Sequence, residues 1–369
     1  MNSPIYVTQP VLPELDEFIP YLEQIWKNKI LTNCGPLHQQ LEKELCDYLG
    51  VEYISLFNNG TIALLTALQA LNLAEGEVIT TPYTFVATAH SIVWNKLTPV
   101  FVDIDPKTSN IDPAEVEKAI TDRTVAIMPV HCYGIACDVE QLQNIADQNN
   151  LKLIYDAAHA FGVKHQGQSL LNYGDLSVIS FHATKVFNTF EGGAVVCHSA
   201  EMKQRIDRLK NFGIASEIAI DDISLNGKLS EVHAALGLLQ LKSIDETLLA
   251  RKHIDHYYRE LLGGVEGIAC IQRPAAETDN YAYFPIVISK PYPLSRDELF
   301  SALKKQNIFA RKYFYPIMTD LAIYQQYQAE TPEAKLLSEH VLCLPMYPAL
   351  ADAEIQQIVK VIKMVANND

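Results

Sequence analysis

Short apolar runs alternate with longer helical patterns along the first two hundred residues of the chain. Seven β-rich runs are separated, in most cases, by a helical pattern, and they cover residues 53–57, 77–80, 99–102, 125–130, 151–155, 176–181 and 194–197. Strands that alternate with helices predict an α/β fold with a mostly parallel sheet covered on both faces. Ligands of such sheets bind at the carboxyl ends of the strands.

Helical patterns precede and follow this alternating region. Residues 13–49 are helical except for a loop at residues 33–36, and Asp112, Pro113 and Glu115 mark a helix start with an N-cap acid and a capping box. After about residue 200, the pattern predicts helices at residues 201–212, 230–262, 295–306 and 352–366 and a strand at residues 283–288.

This change in pattern divides the chain into two predicted domains. Residues 13–245 form a large domain and residues 246–369 form a small C-terminal domain, which residues 1–12 could join. A chain of 369 residues, 49% hydrophobic and 20% charged, is long enough for both.

Charge and cysteine content exclude several classes of partner. A net charge of −15 repels nucleic acid and anionic membranes. No apolar run approaches the ~20 residues that span a bilayer, and the first residues lack the pattern of a signal peptide. Seven cysteines without paired spacing predict free thiols in a reducing cytoplasm and no metal site.

Polar and aromatic groups follow several predicted strands, where ligands of the sheet would bind. Gly60 and Thr61 open a helix directly after a strand, and a helix start with free N–H groups binds anions. Ser180 could supply another phosphate donor. Phe85, after the next strand, could stack on a flat ring. Each has an ordinary alternative, a capped turn or a core aromatic.

Asp156 and Lys185 add a possible pair of charged groups. Asp156 ends the apolar run 151–155, and a carboxylate there needs a cation such as a protonated pyridine nitrogen, unless it caps the next turn. Lys185 lies just beyond another strand, where burial would lower its pKa and free an amine that attacks an aldehyde. A surface lysine is the alternative. Together with the phosphate donors, the pair indicates pyridoxal 5′-phosphate, bonded to Lys185 as a Schiff base.

These residues, in this order, resemble the DegT/StrS family of nucleotide-sugar aminotransferases, a branch of the fold-type I pyridoxal-phosphate enzymes. The resemblance covers nearly the whole chain and includes residues 60–61, 81–85, 129–134, 156–159, 180–185, 191–193, 226, 230–241 and 344–345. It implies a large domain with a seven-stranded, mostly parallel sheet between helices, and a smaller C-terminal α/β domain.

The resemblance also implies roles for individual residues. Lys185 bonds to the cofactor and moves protons, Asp156 pairs with the pyridine nitrogen, His159 contacts the ring hydroxyl and Phe85 stacks on the ring. The expected phosphate ligands are Gly60, Thr61, Ser180 and, from the partner subunit, Asn226. That last role implies a homodimer with active sites at the interface.

Substrate contacts are expected from a second group of residues. Lys228 stands where many relatives have an arginine, which leaves its substrate contact open. Arg311 could bind either a donor carboxylate or a nucleotide phosphate. The pocket wall is expected to include His182, Tyr313 and Tyr315, although packing is an equal alternative for the two tyrosines.

Local resemblance within the family narrows the expected reaction. The first 50 residues and the segments 181–190 and 226–235 look most like enzymes that aminate C4 of dTDP-4-keto-6-deoxyglucose with L-glutamate. The implied products are the 4-amino sugar and 2-oxoglutarate. Amination at C3, a fold-type I enzyme that acts on amino acids, and a non-catalytic cofactor-binding regulator remain alternatives.

Overall fold

The computed structural model describes residues 3–73, 75–273 and 277–366. The strands are β1 Ile5–Tyr6, β2 Tyr53–Phe57, β3 Glu77–Thr80, β4 Thr98–Phe101, β5 Thr124–Ile127, β6 Lys152–Asp156, β7 Lys164–His165, β8 Gln168–Ser169, β9 Leu176–Ser180, β10 Gly193–Cys197, β11 Ile214–Ser216, β12 Ala219–Ile220, β13 Ile268–Cys270, β14 Glu277–Thr278, β15 Phe284–Ile288, β16 Ile308–Phe309 and β17 Val341–Leu344. The α-helices are α1 Leu15–Asn28, α2 Pro36–Leu49, α3 Gly60–Ala70, α4 Val86–Trp94, α5 Pro113–Ala119, α6 Val139–Asn149, α7 Ala200–Leu209, α8 Glu231–Lys242, α9 Ile244–Leu262, α10 Arg296–Lys305, α11 Pro332–His340 and α12 Asp352–Ala366.

A seven-stranded sheet forms the centre of the molecule. Its strand order is β2-β10-β9-β6-β5-β3-β4, and β10 alone is antiparallel to its neighbours. Each of the seven predicted runs overlaps one of these strands, and β2 and β3 match residue for residue. The prediction of a mostly parallel seven-stranded sheet is confirmed.

Side chains of successive strand residues enter two separate apolar cores. Leu153 and Tyr155 belong to one core with residues of α2, whereas Ile154 belongs to another with residues of α3. Successive side chains of a strand point to opposite faces of its sheet. Both faces of the sheet are therefore covered by helices, and the carboxyl ends of its strands are left to form a site.

Two local predictions were wrong. The predicted capping box on α5 does not form, because Asp112 N–H donates to the Asp103 carbonyl and Glu115 bonds to Lys118 instead. The single helix predicted for residues 230–262 is two helices, α8 and α9. They meet at Ser243, whose hydroxyl and N–H both donate to the Gln240 carbonyl and compete with the regular helical pattern.

A smaller sheet and its helices form another core. Strand β15 lies between β13 and β17, and its apolar face packs with residues of α9, α10 and α12. Strand β1 pairs with β16 in the same region. The predicted domain boundary at residue 245 falls within the first turn of α9 and stays a prediction. The outer ends of the predicted domains, residues 1–2 and 367–369, lie outside the described residues. No helix in the described part of the chain is long and apolar enough to cross a membrane.

Candidate active site

A cavity of about 250 Å³ opens at the carboxyl ends of β2, β6 and β9. The topology explains its position, because parallel strands end at the same edge of a sheet and the loops that follow them meet there. Ten of the predicted site residues line it: Gly60, Thr61, Phe85, Asp156, His159, Ser180, His182, Lys185, Arg311 and Tyr313.

The first turn of α3 provides an anion site on one wall of this cavity. The side chain of Asn59 accepts a hydrogen bond from Ile62 N–H at 2.8 Å and caps the helix. The N–H groups of Gly60 and Thr61 have no acceptor among the described residues. A Cβ on Gly60 would lie 3.2 Å from Ser180 Cβ, so glycine lets the helix start approach the Ser180 side chain. Two N–H groups and two hydroxyls therefore converge at a positive helix end.

Asp156 ends β6 at the floor of the cavity and is only 5% exposed. Its Oδ2 accepts a hydrogen bond from the Thr88 hydroxyl at 2.7 Å, and its Oδ1 accepts one from Ala158 N–H at 3.1 Å. Burial raises the pKa of this carboxyl, although both hydrogen bonds and the positive charge of Lys185 act in the opposite direction. The contacts within the chain thus leave the buried negative charge incompletely compensated.

Lys185 extends from the loop after β9 into the same cavity. Burial lowers the pKa of its amine to about 8, Asp156 opposes this change and Arg311 adds to it. Its Nζ lies 3.4 Å from the hydroxyl of Tyr283. At mildly alkaline pH a large fraction of this lysine is therefore a neutral, nucleophilic amine.

His159 is a buried neighbour of both groups. Its Nδ1 accepts a hydrogen bond from the backbone N–H of Tyr133 at 3.2 Å, and its Nε2 lies 3.4 Å from the Tyr283 hydroxyl. Burial, together with the nearby charge of Lys185, lowers the pKa of His159 well below its usual value. The ring is therefore neutral, with its proton on Nε2.

The sequence profile of the DegT/DnrJ/EryC1/StrS aminotransferase family matches residues 14–363. The chain belongs to this family. The predicted resemblance, the α/β fold and the assignment as a transaminase are thereby confirmed. Enzymes of this family depend on pyridoxal phosphate. The cavity at the strand ends is accordingly the candidate active site of a family aminotransferase.

Two relatives within the aminotransferase family are similar over their full length. The dTDP-4-amino-4,6-dideoxy-D-glucose transaminase of Shigella dysenteriae is 58% identical over 367 residues, which cover 99% of this chain and 100% of that protein. The Escherichia coli enzyme of the same name is 52% identical and covers 98% of both chains. Among solved structures, DesI, crystallised in the presence of its TDP-sugar product, has a TM-score of 0.95 at 34% identity and covers 99% of this chain and 94% of its own.

A second solved structure of similar fold is Helicobacter pylori PseC, an aminotransferase involved in the biosynthesis of pseudoaminic acid. It has a TM-score of 0.93 at 27% identity and covers 100% of both chains. The two solved structures therefore share the fold of this chain over nearly its whole length.

Three predicted site residues of the aminotransferase lie outside the cavity of the single chain. Asn226 is exposed, and Lys228 donates a hydrogen bond from Nζ to the Asn211 side chain at 2.7 Å. Tyr315 lies under the guanidinium group of Arg296, 4.5 Å from ring to cation. The substrate and phosphate roles of these three residues stay predictions.

Several residues of the site were missed at the level of sequence. Thr88 lies in the first turn of α4, four residues after Thr84, which precedes the helix, and the two hydroxyls are 2.9 Å apart. The spacing of the two threonines was visible in the sequence. Tyr283 has no local signal, because it reaches Lys185 from the residue before β15, 98 residues further along the chain. The Tyr133 N–H contacts His159 from a residue in the left-handed region, with φ 57°.

Proposed function

We propose that this aminotransferase converts dTDP-4-keto-6-deoxy-D-glucose to dTDP-4-amino-4,6-dideoxy-D-glucose. The amino donor is L-glutamate, which becomes 2-oxoglutarate, and the cofactor is pyridoxal 5′-phosphate. The observation that carries the proposal is a cavity with Lys185, Asp156 and an anion site in a chain 58% identical to a transaminase of that name. The TDP-sugar product named for DesI supports a nucleotide-sugar substrate. Seven cysteines without paired spacing support a cytoplasmic location.

The residues of the cavity fit the cofactor. Its phosphate needs the kind of donors that Gly60, Thr61 and Ser180 present, and the cradle exists because Gly60 has no Cβ. Its pyridine nitrogen, when protonated, supplies the cation that the buried Asp156 lacks. When bound, the cofactor supplies an aldehyde that takes up amino groups and a ring that accepts electrons from the substrate carbon.

Two side chains of the protein carry the proton chemistry. Lys185, with its lowered pKa, would move a proton from the α-carbon of glutamate to C4′ of the cofactor, and in the second half-reaction from C4′ to C4 of the sugar. Asp156 holds the proton at the pyridine nitrogen by accepting its hydrogen bond. Thr88 and Ala158 fix the carboxylate for this contact, since each donates to a different oxygen.

The proposed enzyme is a homodimer in which Asn226 and Lys228 serve the partner's cavity. Exposed apolar side chains near this segment support an interface, since large exposed apolar patches mark contact sites. They are Phe212, Ile218, Ile220 and Ile223, and Ile218 is 98% exposed.

Mixed dimers of two inactive variants test this arrangement. Lys185→Ala and Asn226→Ala disable different residues, and a mixed dimer would contain one intact site if Asn226 acts across the interface. Random reassembly then restores about a quarter of the wild-type activity. If Asn226 serves its own chain, no intact site forms and activity does not return.

Product analysis tests the reaction itself. The purified protein is incubated with pyridoxal 5′-phosphate, glutamate and dTDP-4-keto-6-deoxyglucose, and the product is examined by NMR, because ring couplings report the aminated carbon and its configuration. A 4-amino sugar of the gluco configuration is expected. A C3 amine would assign the alternative reaction within the family, and the absence of any amino sugar would favour an amino-acid aminotransferase.

A further inference from the structure

The hydroxyl of Tyr283 lies between the two nitrogen-bearing side chains at the centre of the cavity. Its oxygen is 3.4 Å from Lys185 Nζ and 3.4 Å from His159 Nε2. Tyr283 therefore connects the residue that moves protons to a buried neutral histidine. What this connection does depends on the direction of its hydrogen bonds.

His159 sets that direction. Because the Tyr133 N–H donates to Nδ1, the ring proton of the neutral histidine is on Nε2, which faces Tyr283. The surrounding loop is closely fitted: a Cβ on Gly134 would lie 2.8 Å from the His159 carbonyl, and Asn280 donates to the same carbonyl at 2.7 Å. His159 is thus held as a donor to the Tyr283 oxygen.

Tyr283 has one proton of its own to donate. The Lys185 nitrogen, 3.4 Å away, donates to the hydroxyl oxygen as an ammonium but can accept the hydroxyl proton as a neutral amine. A neutral amine has a lone pair and accepts the proton, whereas an ammonium group has none and leaves the hydroxyl without an acceptor. Tyr283 is half-buried, so the loss of this acceptor costs less free energy than it would for a fully buried donor. Hydrogen bonds that all point from His159 through Tyr283 to Lys185 therefore form only when the lysine is neutral.

We propose that Tyr283 is a catalytic residue that holds the released Lys185 amine in its neutral, proton-accepting form, and that His159 positions the Tyr283 hydroxyl for this contact. After Lys185 takes a proton from the substrate carbon, its ammonium donates to the Tyr283 oxygen and Tyr283 keeps its own proton. The ammonium is then the less favoured form and would release its proton readily to the cofactor carbon C4′. That the amine is used in turnover rests on the proposed function. The effect of Tyr283 on the protonation of Lys185 rests only on the contacts in the cavity.

Other charged and titratable groups also face Lys185. Asp156 at the end of β6 favours the ammonium, and Arg311 from the small sheet disfavours it. The remaining groups of this kind that line the cavity are His182, Glu191 and Tyr313. A Tyr283→Phe substitution leaves all of them in place and removes one hydroxyl. The change in Lys185 therefore isolates the contribution of that hydroxyl.

The experiment measures the pH dependence of Lys185 reactivity in the full-length protein. The protein is loaded with pyridoxamine 5′-phosphate, which leaves Lys185 unbonded, and a second series uses the cofactor-free chain. Trace labelling with 1-fluoro-2,4-dinitrobenzene is quantified by mass spectrometry of the Lys185 peptide, with the exposed Lys43 as internal reference. The wild-type midpoint is expected near the pKa of about 8.

Tyr283→Phe should raise the midpoint by about 0.5–1 pH unit, since one hydrogen bond to the neutral form is lost. His159→Leu should raise it by less, and the double variant should equal Tyr283→Phe, because His159 acts through Tyr283. Tyr258→Phe is the matched control. Its hydroxyl donates to the Pro345 carbonyl at 3.1 Å, away from the cavity, and its loss should leave the midpoint unchanged.

A midpoint that stays or falls in Tyr283→Phe overturns the proposal, because the hydroxyl then favours the ammonium or neither form. If Tyr283→Phe is too unstable to measure, two substitutions of His159 test the proposal instead. His159→Gln keeps an N–H donor and must keep the wild-type midpoint, whereas His159→Leu must raise it. If the wild-type protein does not bind the cofactor or forms no amino sugar, the proposed function is contradicted. The labelling of the cofactor-free chain can still be interpreted in that case.

Discussion

An Asp156→Asn substitution separates the two roles that this carboxyl could have, a structural cap and a partner for the cofactor ring. Asparagine keeps the shape and an oxygen that accepts from Ala158 N–H. The Thr88 hydroxyl can turn to accept from the new amide, since its bond to Thr84 works in either direction. Both hydrogen bonds of the native carboxylate therefore have a counterpart in the variant.

The expected change in stability is small. Burial raises the pKa of the Asp156 carboxyl in the folded chain, so the unfolded state loses this proton at a lower pH than the folded state. The ionised group therefore lowers stability once the pH exceeds the unfolded value, and this cost grows as the pH rises towards the folded pKa. Asparagine removes the cost, and the free energy of unfolding of the cofactor-free chain should change by less than about 1 kcal/mol.

Asp103→Asn is the matched control for that measurement. Asp103 is 8% exposed and accepts from the N–H groups of Ile104, Glu333 and Ala334, so an amide would face a backbone donor with a second donor. We expect a loss of about 1–3 kcal/mol, because a buried donor is left unmatched. Urea unfolding of both variants measures the difference.

The effect of Asp156→Asn on catalytic activity should be large, in contrast to its small effect on stability. An amide cannot neutralise a protonated pyridine nitrogen, and breaking a buried charge pair costs about 3–5 kcal/mol. The rate of the glutamate half-reaction should therefore fall roughly a hundred- to several-thousand-fold in Asp156→Asn, as measured by stopped-flow absorbance. A rate within tenfold of wild type would refute this account of Asp156. A loss of stability greater than about 3 kcal/mol would show instead that the carboxyl is a structural cap.

Three further predictions concern the same fold and site. Lys185→Ala should keep the wild-type unfolding midpoint and form no amino sugar by NMR. If the protein were a non-catalytic regulator, this variant would keep its cellular function. The value of kcat/KM for the keto-sugar should fall as the pH is lowered through about 8, since Lys185 is a free amine in the pyridoxamine form and then becomes an ammonium, and a flat profile from pH 6 to 9 would contradict this. Glu231→Gln should cost about 1–2 kcal/mol in urea unfolding, because the carboxylate accepts from Leu37 and His38 N–H at the start of α2, and the exposed Glu23→Gln should cost little.

The sequence was sufficient to predict the central sheet and the proximity of Asp156 and Lys185 at the carboxyl ends of its strands. The strands were recognisable because buried parallel strands are continuous apolar segments. In the folded chain, β6 and β9 are hydrogen-bonded neighbours. Asp156 pairs in register with Val178, so the end of one strand and the loop after the other must meet. The proximity of Asp156 and Lys185 therefore follows from strand order, which an α/β pattern favours.

Other features depend on contacts that no local pattern specifies. The apolar spacing of residues 230–262 continues through Ser243, and the break there reflects hydrogen bonds to Gln240 and the different cores that α8 and α9 join. The proposed roles of Asn226 and Lys228 depend on a second chain. A capping box at Glu115 was plausible by spacing, but Asp103 from the preceding strand region had already taken the N–H that the box needs.

Tyr283 shows why the small sheet matters to chemistry at the edge of the large one. Its backbone carbonyl accepts from Arg273, and the carbonyls of Tyr281 and Ala282 accept from the buried Arg251. These arginines never enter the cavity, yet they fix the segment that carries the Tyr283 hydroxyl to Lys185. A substitution of Arg251 should therefore weaken the hydrogen bond between Tyr283 and Lys185. The pH midpoint of Lys185 labelling should then shift even in a variant whose fold is intact.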